Sequence, residues 1–125
     1  MAQVLWKAEP EAHDYPAALS YLSLLAASDQ VNRILADLQS AEIVQIKAKD
    51  VIRASGLTLL PAKNFHVARD LRKIQKGKVL SPVLLVRGIG DRHLPLTIAD
   101  GYHRICAVYW NSEDDFVNAK MVSWY

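Results

Sequence analysis

The stretch Thr97–Trp110, TIADGYHRICAVYW, sets a histidine and an arginine side by side just after an Asp-Gly step. Its apolar beginning reads as a strand that ends at Asp100, Gly101 as a tight turn, and the remainder as a helix running to about Trp110. His103 and Arg104 then fall in the first helical turn, where backbone N–H groups lack helical partners and the helix dipole is positive. Cations are unfavourable there unless an anion joins them. Glycine lets an anion approach the backbone, arginine offers a planar fork of donors and histidine adds a further donor. A phosphate group satisfies all three. The plainer alternative makes Asp100 the helix N-cap, Gly101 a turn residue and His103–Arg104 a solvated polar pair.

Few other residues are placed for chemistry. Lys63, just ahead of a second helix, would face the same phosphate, with a solvated lysine as its alternative. Asp100 is the one carboxylate placed by sequence to act as a catalytic base or to hold a magnesium ion accompanying a nucleotide; N-capping is its simpler role. The basic run RDLRKIQKGK, with Arg69, Arg72, Lys73 and Lys76, would suit a nucleic-acid backbone, or else complement the C-terminal end of its own helix. His13, His66 and His93 have no metal-ligand spacing among themselves or with Cys106, so no metal site is assigned. Cys106 lies about 200° around the helix from Arg104, on another face. The three tryptophans, Trp6, Trp110 and Trp124, read as packing residues rather than a base-stacking platform.

The elements that position the motif follow from apolar spacing and caps. Asp14 reads as an N-cap with Pro16 near the first helical position, and Ala18, Leu19, Leu22, Leu25 and Ala26 mark one helical face. After a break at Ser28–Asp29, Val31, Ile34, Leu35 and Leu38 mark a second. EIVQIKAK reads as a strand, KDVIRASG as a short helix closed by Gly56, and LTLLPAK as an extended connection or edge strand. Asn64 caps a further helix with Phe65, Ala68, Leu71 and Ile74 inward and Gly77 at its end. SPVLLVRG and LPLTIAD form a hairpin with a longish loop. On the motif helix, Ile105, Val108 and Tyr109 share the inward face. DDFVNAKMVSWY alternates Val117, Ala119 and Met121 against Asn118 and Lys120, a half-exposed strand. The expected fold class is α+β, with a mixed sheet near Val83–Val86, Leu96–Ala99 and Val117–Val122.

Composition narrows the setting. The 125 residues suit one domain, 1–125, and half of them are hydrophobic, as in a folded chain. A net charge of +2 neither demands nor excludes nucleic acid. The single cysteine allows no internal disulfide and suits a reducing compartment. No apolar run approaches the roughly 20 residues that span a bilayer. With no signal-like N-terminus, the expectation is a cytoplasmic protein and no membrane partner.

The motif TIADGYHRICAVYW resembles the signature of the ParB/sulfiredoxin superfamily, in which a strand ends in Gly-x-His-Arg or Gly-x-Arg-Arg and the next helix N-terminus holds a nucleotide's phosphates. HVARDLRKIQKGK, SPVLLVRG, LPLTIADG, the motif helix and VNAKMVSWY follow the family's order over roughly residues 62–124. Residues 1–40, a helical N-terminal extension, have no counterpart. The resemblance implies a ParB/sulfiredoxin-like small mixed sheet with packed helices. It assigns phosphate contacts to Gly101, Tyr102, His103 and Arg104, and implies ATP or CTP with magnesium as cofactor. Sulfiredoxins carry their catalytic cysteine where this chain has Tyr102, so that chemistry does not carry over. Chromosome-partitioning ParB proteins add a helix-turn-helix and a dimerisation segment, for which this chain has no counterpart. Relatives with Asp-Gly-x-His-Arg include nucleotide-dependent kinases of small molecules. Two functions follow: a small phosphotransferase or nucleoside-triphosphatase, or a non-catalytic module that senses a ligand or contacts DNA or protein.

Overall fold

In the computed structural model, which describes residues 2–125, the elements in chain order are β1 (Leu5–Trp6), α1 (Asp14–Leu22), α2 (Ser28–Ser40), β2 (Val44–Lys47), α3 (Ala48–Ser55), α4 (Phe65–Gln75), β3 (Val79–Leu80), β4 (Val83–Val86), β5 (Thr97–Asp100), α5 (Tyr102–Asn111) and β6 (Phe116–Val122). This is a mixed α+β fold. All four residues of β4 are buried, which requires cover on both faces of its sheet. The sheet runs β2-β6-β4-β5, with β4 parallel to β6 and antiparallel to β5, and β2 antiparallel to β6. Val83 and Leu85 point to a core shared with Val51, Val67, Ile74, Ile105 and Val108 of α3, α4 and α5. Leu84 and Val86 point the other way, to a core shared with Ala18, Leu22, Val31, Ile34 and Leu38 of α1 and α2. Helices therefore layer both faces. The N-terminal helices are the second of those layers.

Local signals explain most boundaries. Gly56 closes α3 in the left-handed region, at φ 68°. The side chain of Asn64 accepts hydrogen bonds from the N–H groups of His66 and Val67, capping α4. Ile105 and Val108 are buried and Tyr109 packs partly against the same core, as helical spacing predicts.

Other expectations are corrected. Asp14 is the first residue of α1 rather than its cap. α1 ends at Leu22, so Leu25 lies beyond it, and Leu19 and Leu25 are exposed; the buried face is Asp14, Ala18 and Leu22. On α4 the buried positions are Val67, Asp70 and Ile74, while Phe65 is 71% exposed. The cap at Asn64 turns Phe65 outward and fixes that phase. On β6, Lys120 is not solvated: it is 1% exposed, because α2 covers that face. Its Nζ donates to the Gln39 carbonyl at 3.0 Å and pairs with Glu9 at 2.9 Å. β1 and β3, two residues each and paired in parallel, carry no periodic signal and were not expected. Among the described residues, no helix is long and apolar enough to cross a membrane.

Candidate functional site

Gly101 occupies the N-cap position of α5 at φ 108°, and no side chain caps the helix. Asp100 is therefore not the cap that simple patterning suggests; its carboxylate turns to Arg104 instead. The missing side chain at Gly101 has a definite cause. A Cβ there would stand 2.4 Å from Val83 Cγ1 and 2.8 Å from Val83 Cβ, so the turn is pressed against β4 and admits only glycine. The first-turn N–H groups of α5 remain without helical partners.

Arg104 turns inward from that turn. Its Nη1 donates to the Ser81 carbonyl at 2.6 Å, to Ser81 Oγ at 2.7 Å and to the Pro82 carbonyl at 3.1 Å. Its Nη2 donates to Asp100 Oδ2 at 2.9 Å and stands 3.6 Å from Asp14 Oδ1. Ser81 Oγ in turn donates to Asp14 Oδ2 at 3.1 Å, and the Glu11 N–H donates to the same oxygen at 2.9 Å. One guanidinium thus ties together α1, the link between β3 and β4, and the end of β5. Asp14 is 2% exposed, and the side chains of Arg104 and Asp100 are 16% and 18% exposed. Two carboxylates share one cation in a poorly solvated place. Burial raises the Asp100 pKa to about 6, helped by the charge and hydrogen bond of Asp14 and opposed by Arg104.

Beside this clasp lies a polar cleft of about 240 Å³ between α4, the segment ahead of α1 and β3. Lys7, His13, Arg69, Lys73 and Arg104 line it with positive or protonatable groups, and Glu11, Asp70 and Ser81 with acceptors. His103 does not line the cleft; its ring centroid is 4.8 Å from that of His66, on the first turn of α4. Its pKa is lowered, first by burial, then by the neighbouring His66, with Asp70 opposing and Arg69 adding. With its pKa below the ordinary value, it is an uncharged imidazole at neutral pH.

The remaining expected site residues fall elsewhere. The Tyr102 hydroxyl donates to the Thr58 carbonyl, and burial raises its pKa, so its side chain anchors the 57–60 segment. Tyr102 does not line the cleft. Lys63 is exposed and does not line the cleft. Cys106 is fully buried and burial pushes its thiol up. Among the described residues, no group of three or more His, Cys, Asp or Glu side chains is arranged to hold a metal ion. Sequence reasoning missed Asp14, Ser81 and Asp70. The basic run of α4 was visible, but not that Arg69 and Lys73, one turn apart, face the motif.

The chain matches no protein-family model, no curated protein and no solved structure.

Proposed function

We propose that the chain binds the phosphates of a nucleotide in the manner of the ParB/sulfiredoxin superfamily, at the first turn of α5 and the adjoining cleft. The observation that carries this reading is the uncapped N-terminus of α5 beside a cleft walled by Lys7, Arg69 and Lys73. Free N–H groups and a positive dipole end on α5, beside a cleft in which Arg104 meets the cations of α4, have the composition an anion site needs. His103, held neutral, supplies a donor without adding charge. Arg104 acts from behind: its donors are taken up by Asp14, Asp100 and Ser81, so it fixes the turn and lends the site its field rather than an open fork. Lys63 and the Tyr102 side chain contribute least to this reading.

A magnesium ion would arrive with the nucleotide. Asp100 does not fit as its ligand, because the carboxylate is already paired to Arg104. The ion would be held by phosphate oxygens, the usual arrangement for a cation that keeps most of its water.

Isothermal titration with ATP, CTP and GTP, with and without magnesium, tests the reading. His103→Ala, Arg69→Met and Lys73→Met should each weaken binding about tenfold, the scale of one charge-assisted hydrogen bond. Absence of nucleotide binding by the wild type at millimolar ligand would reduce the site to a structural cluster. Where binding is found, release of phosphate in the same samples assigns the phosphotransferase or nucleoside-triphosphatase branch. Binding without turnover assigns the sensing branch.

A further inference from the structure

One carboxylate in the cleft is unaccounted for. Asp70 is 4% exposed and lines the cleft. Among the described residues its single ion contact is to Arg69 Nε at 3.8 Å, beyond hydrogen-bond distance, and it accepts no hydrogen bond. Asp14, the other deeply buried aspartate, accepts two. No side-chain nitrogen or oxygen among the described residues is both sealed from solvent and unpaired, so the Asp70 carboxylate opens to the cleft, within reach of a ligand's donor. It also works against a bare anion. Phosphate entering between Arg69 and Lys73 would meet Asp70 on the same helix, one and three residues away in sequence, with Glu11 on the opposite wall already engaged by Lys7.

We propose that Asp70 accepts a hydrogen bond from a hydroxyl of the bound ligand, so that the cleft takes a hydroxyl-bearing phosphate ester such as the sugar phosphate of a nucleotide, and discriminates against phosphate that lacks such a donor. The inference rests on the phosphate-binding reading and adds to it the chemical class of the ligand. Arg69 and Lys73 hold the anionic end, and Asp70, deeper on α4, reads the neutral end. The unpaired acceptor then gives specificity, because a ligand without the donor leaves it unpaired in the complex.

Affinities of ribose 5-phosphate and methyl phosphate for the wild type, Asp70→Asn and Asp70→Ala test it by titration calorimetry. The wild type should bind ribose 5-phosphate about tenfold more tightly than methyl phosphate. Asp70→Ala should abolish that preference, and methyl phosphate should bind this variant as well as or better than the wild type, since a like charge has gone. Asp70→Asn keeps the shape and an acceptor oxygen, so it should lose at least about threefold of the preference; it carries the test if the alanine variant does not fold. Equal affinity of the wild type for both esters, or an equal loss for both in the variants, overturns the role of Asp70 while leaving the phosphate site standing. Failure of the wild type to bind either ester overturns the phosphate site, and this inference with it.

Discussion

Replacing Asp100 by asparagine should change how stability depends on pH, and the direction follows from the clasp. In the folded chain the Asp100 carboxyl is held at about 6 rather than at its ordinary 3.8, chiefly by burial and then by Asp14. That difference corresponds to roughly 3 kcal/mol of preference for the protonated form in the folded state. A carboxyl with a raised folded value contributes stability that is fully present below its unfolded value and is lost as pH rises through the folded one. Asparagine is uncharged throughout, keeps an oxygen for Arg104 and removes the repulsion from Asp14. Urea unfolding of both proteins between about pH 4.5 and about pH 7.5 isolates the effect, because all other titrating groups cancel in the difference. The stability of Asp100→Asn relative to wild type should rise with pH, by on the order of 2 kcal/mol once solvent access to the pair is allowed for. Because burial is the larger cause, Asp14→Asn should lessen that rise without removing it. Parallel pH profiles for wild type and Asp100→Asn would refute the claim that burial and Asp14 hold the Asp100 carboxyl above its ordinary range.

Arg104→Ala removes the shared cation and should cost about 3–5 kcal/mol in urea unfolding at neutral pH, with a smaller loss near pH 4.5, where Asp100 is protonated; Arg104→Lys should recover only part, since an ammonium cannot serve the acceptors of Ser81, Pro82 and Asp100 together. Gly101→Ala drives a methyl into Val83 and strains a backbone at φ 108°, for a loss of about 2–4 kcal/mol. The double variant Val83→Ala, Gly101→Ala should lose less than the sum of the two single losses, measured by thermal unfolding. Cys106 should resist thiol-specific labelling in the native state and react on unfolding, and Cys106→Ala should cost about 1 kcal/mol and leave ligand binding unchanged.

Local order was legible in the sequence wherever it has a local cause. Gly56, Asn64 and the apolar spacing of residues 105–109 act within a turn of their own position, and the structure follows them. α4 shows how narrow that margin is: the cap was right, but the inward face was read from Phe65 when the packing surface starts at Val67. Lys120 alternates like a surface residue, and only the layer of α2 laid over it makes it a buried one. The clasp lay further out of reach. The motif showed that Arg104 needed an anionic partner, but nothing near it indicated that Asp14 would be one, because the pairing depends on α1 crossing the far face of the sheet. Asp70 was hidden for the opposite reason: its helix was read as a solvated basic face, and a lone acid within it carried no signal of being buried.

Because Asp14 meets Ser81 across 67 positions of chain, the site is assembled by closure of a very long loop. Contacts of that span form only after the elements between them have compacted, and they carry a large loop-closure entropy. A chain emerging from synthesis exposes α1 early, yet Asp14 has only the local Glu11 N–H until Ser81 and α5 have followed it. Ligand binding at α5 should therefore appear in refolding only with the final phase, after helix formation is complete, so that a fluorescent phosphate ester mixed with refolding protein would report arrival at the native state rather than any step before it.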